Sequence, residues 1–130
     1  MFLNTQHGGV DIAAPDPGSN GGEGAPRVAS RNRATGCTAV GPAHAVYVAG
    51  AVAHNLLAVT PQTHADDAEA LPGVSSRTVR GPARHVDGVA TVLVAGSPAT
   101  RLGSPSIHNG ANSDGARVTP SQRKVLVLGR

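Results

Sequence analysis

The sequence predicts an all-β fold in a single domain over residues 1–130, built from pseudo-threefold strand–turn–strand repeats joined by long loops. Three observations point there. First, the chain holds 17 Gly and 10 Pro among 130 residues. That is too many for a helical protein, yet short of the roughly 25–30% that marks low-complexity disorder. Second, apolar residues recur with a period of two, as in Val92 and Val94, which places them on one face of an extended strand. Third, the unit repeats. Val46-Tyr47-Val48-Ala49-Gly50 returns as Val92-Leu93-Val94-Ala95-Gly96, and Leu56 and Leu102 keep the same offset as Gly50 and Gly96. Lys124-Val125-Leu126-Val127-Leu128-Gly129 reads as a third copy, truncated by the C-terminus. One such unit cannot bury its apolar face alone, so repetition is a fold-level signal.

Taken in order, His7-Gly8-Gly9 reads as a turn and Val10-Asp11-Ile12 as a short strand. Residues 15–36 carry loop chemistry throughout, with Pro, Gly, Ser and Asn at most positions. The first β unit spans Cys37–Leu57. A loop follows with the acidic cluster Asp66, Asp67 and Glu69. A short helical turn is expected over Ala65–Leu71, capped by Thr63. Val74–Val79 reads as polar and extended. The second β unit runs from Gly81 to Leu102, where Gly96-Ser97-Pro98 supplies the reversal. Residues 103–120 read as a further loop, and Lys124–Leu128 as the closing strand.

Phe2 and Tyr47 are the only aromatics, so the core is expected from Val, Ala, Leu and Ile. Small side chains bury little area each, at about 25 cal/mol per Å². A thin β structure of this size calls for a staple such as a metal or a partner. A lone Cys37 excludes an internal disulfide and reads as a cytosolic thiol or a metal ligand. The first residues show no signal peptide, and no apolar run approaches the ~20 residues of a membrane span. The net charge of +3 comes from ten Arg and one Lys against eight acids. The arginines are scattered without interleaved aromatics, so no nucleic-acid partner is expected.

Six histidines offer the main chemistry. His64 and His108 each end a Pro-x-x-His run near matching places of the two full repeats, and His7 is a third candidate. Equivalent histidines of a threefold repeat would meet at its axis. There they suit Zn²⁺, with Cys37 completing a tetrahedral site and His85 competing for the fourth position. Such a site would supply the staple. His44, His54 and His85 otherwise read as surface or partner-facing. No local metal motif, no Gly-x-Ser-x-Gly elbow and no phosphate loop occurs, and no catalytic residue is assigned. Two other readings stand beside this one. A small zinc-dependent hydrolase would use His64, His108 and an aspartate around an open metal position. A metal-free β binding module would keep its histidines apart.

Several short motifs fall in a telling order. Thr5-Gln6-His7-Gly8-Gly9 and Pro15-Asp16 come first, then Val46-x-Val48-x-Gly50 with Ala53, then Gly81-Pro82-Ala83-Arg84. Val92-Leu93-Val94-x-Gly96-x-Pro98-Ala99-x-Arg101-Leu102 and His108-Asn109 follow. Pro120-Ser121-Gln122-x-Lys124-Val125-Leu126-Val127-Leu128 closes the series. Together they resemble the PAAR-like spike-tip proteins of contractile injection systems, namely type VI secretion and its phage-tail-like relatives. The resemblance implies a small conical, three-sided β-prism whose base caps a trimeric spike protein and whose point leads through a target membrane. It implies a structural zinc near the point, held by histidines and a cysteine, and a mechanical, non-enzymatic role. The final strand, Val125, Leu126, Val127 and Leu128, is the expected spike-binding surface, by strand augmentation. The protein is expected in the cytoplasm until it is assembled at the spike tip and driven outward, with effector cargo travelling by another route.

Overall fold

A computed structural model describes residues 1–19, 28–41, 43–65 and 72–129. Among them the chain is almost wholly β. Its strands are β1 (Val10–Gly18), β2 (Val28–Thr35), β3 (Tyr47–Val48), β4 (Ala51–Val52), β5 (Val59–Thr60) and β6 (His64–Ala65). They continue as β7 (Ala83–His85), β8 (Val89–Val94), β9 (Ser97–Ala99), β10 (Pro105–His108) and β11 (Ser113–Arg117). One 3₁₀ turn, Gly36–Thr38, follows β2. Of the helical turn expected over Ala65–Leu71, Ala65 ends β6 and residues 66–71 lie outside the described residues.

Seven strands form one antiparallel sheet in the order β5-β7-β10-β11-β1-β2-β6. β5 and β6 are its two edges, yet residues 61–63 alone join them. Four Cα steps reach about 14 Å, whereas six interstrand gaps in a flat sheet span about 29 Å. The sheet must therefore curl until its edges approach each other. A second stitch agrees with this: Val40, just after β2 and its 3₁₀ turn, bridges Val59 of β5.

Two stretches read as loops from sequence are strands. Asp16–Gly18 pairs with Val28–Ser30 after a register shift past Ala13, and β10 pairs with β11 through Pro105↔Ala116 to His108↔Ser113. Turn-type residues hid them because the pairing is carried by backbone, not by an apolar face. Val74–Ser76, read as extended, forms a turn.

β3–β4 and β8–β9 are separate hairpins. Each reverses through an Ala-Gly pair at positive φ, Ala49-Gly50 (52°, 82°) and Ala95-Gly96 (50°, 80°). Those values suit a type I′ turn, which matches the right-handed twist of the strands it joins. A third strand pair has the same register. Phe2 bridges Leu126 as Val52 pairs Tyr47 and Pro98 pairs Leu93. Its two strands come from opposite ends of the sequence.

The three pairs meet in a ring. Thr5 bridges Ala53, Asn55 bridges Ala99, and Leu3 bridges Arg101. At the centre the Asn4 N–H donates to Thr100 O (3.0 Å), the Thr100 N–H to His54 O (3.5 Å), and the His54 N–H to Asn4 O (2.9 Å). Residues directly opposite in antiparallel pairs project from the same face, so these three buried side chains lie at one level. In all three copies the chain runs from hairpin to ring to sheet: Phe2, Asn4, Val10; Val52, His54, Val59; Pro98, Thr100, Pro105.

An apolar cluster lies beside the ring: Leu3, Ala43, Ala53, Val89, Val94, Ala99 and Val127. It is as small as the composition implied. Beyond the ring, the inside of the curled sheet is polar.

Candidate functional site

At the hairpin end, the repeat puts one large apolar side chain at the same position of each strand pair. Tyr47, Leu93 and Leu126 occupy it and are 66%, 61% and 53% exposed. Their successors, Val48, Val94 and Val127, turn inward onto the apolar cluster. Period-two alternation thus sends one residue of each pair to the core and leaves its neighbour in solvent. Of the four residues expected to meet a partner, Val125, Leu126 and Leu128 are exposed and Val127 is buried. Tyr47 and Leu93 were not singled out from sequence. Their place in the repeated pentads was the signal that could have found them.

The C-terminal strand is held by side chains of the last motif. Gln122 Nε2 donates to Leu3 O (3.0 Å) and Val125 O (2.8 Å), while Gln122 Oε1 accepts from the Lys124 N–H (2.7 Å) and the Val125 N–H (2.8 Å). Ser121 Oγ accepts the Thr5 N–H (2.8 Å). Arg101, reaching from the ring, donates to Val127 O (3.1 Å) and Gly129 O (2.8 Å).

Inside the sheet, inward positions carry Asp11 and Ala13 of β1, Asn32 and Ala34 of β2, Ala83 and His85 of β7, Ser106 and His108 of β10, and Ser113 and Arg117 of β11. Ser113 Oγ donates to Pro15 O (2.7 Å), and two networks satisfy the other polar groups, as burial requires. In the first, Arg117 forks onto both carboxylate oxygens of Asp11 and donates to Gly8 O (3.1 Å). His85 Nε2 lies 3.7 Å from Asp11 and accepts from Asn4 Nδ2 (3.4 Å). In the second, Ser106, His108, Asn32, Asp16 and Asn112 are linked in series.

His54 and His85, read from sequence as surface or partner-facing, are buried; His44 is exposed. His54 Nε2 meets Gln6 Oε1 at 2.8 Å. Burial pushes its pKa down to about 4, helped by the charges of Arg117 and His85 and opposed by Asp11. Burial likewise lowers His85 and His108, against the pull of Asp11.

The four expected zinc ligands are not drawn together. His7 and Cys37 are exposed, and so is His64, at the sheet edge opposite Arg33. His108 is fully buried, with both ring nitrogens engaged by Ser106 and Asn32. No group of three or more His, Cys, Asp or Glu side chains arranged to hold a metal occurs among the described residues. Among the described residues this donor set does not form a zinc site.

No curated protein and no solved structure matches the chain. A family model described as the Toxin PAAR-like domain matches residues 29–115, more than half of the length, and the chain belongs to this PAAR-like family.

Proposed function

We propose that the protein caps the trimeric spike of a contractile injection system and sharpens it for membrane puncture. The hairpin end is the base that docks on the spike, and the curled sheet tapers to the point as a three-sided prism. Before assembly the protein waits in the cytoplasm. The role is mechanical: force passes through a rigid body onto a small area, and no bond of a substrate is broken.

One observation carries this reading. Tyr47, Leu93 and Leu126 are exposed at equivalent places of three strand pairs. A trimer offers the same surface three times around its axis. A single chain that caps it must offer three similar faces of its own. The ring of hydrogen bonds through Asn4, His54 and Thr100 supports that arrangement, because it sets the three pairs around one axis. Short strand pairs of this kind suit continuation onto the strands of the spike.

Binding to the purified cognate spike trimer, measured by calorimetry, tests it. One chain per trimer is expected. Exposed apolar anchors at an interface centre contribute about 1–2 kcal/mol each, so the triple variant Tyr47→Ser/Leu93→Ser/Leu126→Ser should bind more than 100-fold more weakly while its melting temperature holds. Absence of wild-type binding, or a triple variant that binds as tightly as the wild type, would overturn the proposal.

A further inference from the structure

We infer that the end of the sheet away from the hairpins is closed by a buried hydrogen-bond relay that stands in place of a metal clamp. The relay has a defined direction. Asn32 Nδ2 donates to Asp16 Oδ2 at 2.9 Å, which fixes the Asn32 amide with Oδ1 facing His108. Asn32 Oδ1 then accepts from His108 Nδ1–H at 2.9 Å. His108 Nε2 is left as the acceptor for Ser106 Oγ–H at 3.0 Å. Asn112 Nδ2 supplies the other oxygen of Asp16 and also donates to Pro17 O at 2.9 Å. Asn112 Oδ1 accepts the Ser75 N–H at 2.8 Å.

This chain of contacts does what a metal would do at such a place. It ties together β1, β2, the turn at Val74–Ser76, and β10 with the turn that follows it. It also uses the atoms that a metal would need. Both nitrogens of His108 and both oxygens of Asp16 have partners, and Ser106, Asn32, Asp16 and His108 are all at least 94% buried. A metal at His108 Nε2 would have to displace Ser106 and would find no second and third ligand among the described side chains. The carboxylate is held by two amide donors in a low-dielectric interior, where such bonds are strong. Every polar side-chain atom of the relay has at least one partner, which is the condition for a buried polar network to rigidify a fold.

The test uses the full chain, purified without chelator, and is independent of spike binding. Metal content by mass spectrometry should fall below one tenth of an equivalent of zinc per chain, and EDTA should leave the melting temperature unchanged. Asn32→Ala and His108→Ala should each lower it by roughly 5–10 °C. The double variant should fall by clearly less than the sum, since the two act through one relay. Should either single variant fail to fold, the partly exposed Asn112→Ala, expected to lose a few degrees, carries the same comparison. Near-stoichiometric zinc with an EDTA-sensitive melt would overturn the inference. So would strictly additive losses for Asn32 and His108.

Discussion

Acid should loosen this fold as the pH falls below 6.5, and His54 is the residue to follow. It is 2% exposed and sits in the ring. Gln6 Nε2 donates to Cys37 O (2.8 Å) and Ala39 O (2.7 Å), which turns Oε1 toward His54. The imidazole therefore donates through Nε2–H, and a second proton would go to Nδ1. The folded pKa is lowered to about 4 from 6.5, by burial first and by Arg117 second. A lowered histidine costs nothing above the unfolded pKa. As pH falls from 6.5 the unfolded chain binds a proton that the folded chain refuses, so stability drops until the folded pKa is passed. The full loss is about 3 kcal/mol, of which roughly 2–3 kcal/mol is reached by pH 4.5. Urea denaturation at fixed ionic strength from pH 7.5 to 4.5 measures it. His54→Gln keeps a donor for Gln6 and removes the titration, so its curve should be flatter by that amount. The shallower slope that remains belongs to His85 and His108, lowered in the same direction. A wild-type curve that is level across this window, or a variant of identical slope, would refute the reasoning.

Other substitutions probe the remaining parts of the interior. Arg117→Met leaves Asp11 buried without its partner and should cost about 3–5 kcal/mol in urea denaturation; adding Asp11→Leu should recover a large part. Thr100→Val removes a buried hydroxyl that has no hydrogen-bond partner. It is expected to hold stability or raise it by up to about 1 kcal/mol in a thermal scan. Gln122→Ala removes three bonds to Lys124 and Val125 and one to Leu3 and should cost about 1–3 kcal/mol, with faster amide exchange at Leu3 and Val127 than elsewhere in the fold.

The repeat was legible because it is written in apolar period-two pentads. Val46–Gly50, Val92–Gly96 and Val125–Gly129 are the outer strands of the three pairs, as their common register shows. The inner strands were harder to see. Leu3-Asn4-Thr5, Ala53-His54-Asn55 and Ala99-Thr100-Arg101 share position but hardly any side-chain chemistry, since their common duty falls on backbone N–H and C=O groups. For the same reason His54 looked like an isolated surface histidine: its counterparts are Asn4 and Thr100, and only the ring reveals that all three are interior. The sheet was hidden more deeply. Its inward residues include Asp11, Asn32, His85, Ser106, His108 and Arg117, while Ile12 and Ile107 stay half-exposed outside. A pattern reader that assigns apolar residues to the core turns such strands inside out or reads them as loops.

That inversion has a mechanical consequence. With two aromatics and many alanines, an apolar interior would contribute little stabilisation and would resist shear only through weak dispersion contacts. Directional bonds between segments far apart in sequence resist displacement along several directions at once. Arg117 joins β11 to β1 and to Gly8, and Asn32 joins β2 to β1 and β10. At the hairpin end Tyr47, Leu93 and Leu126 stay in solvent, where the proposed docking would use them. Such a division fits a body loaded from its base. The base needs adhesive apolar surface that alternates out of a small core, and the part beyond the ring needs stiffness more than burial. Under the proposed docking it also accounts for three different residues at that end. The three pairings share one backbone register, so the side chains there need only be large and apolar, and Tyr, Leu and Leu meet that condition without being identical.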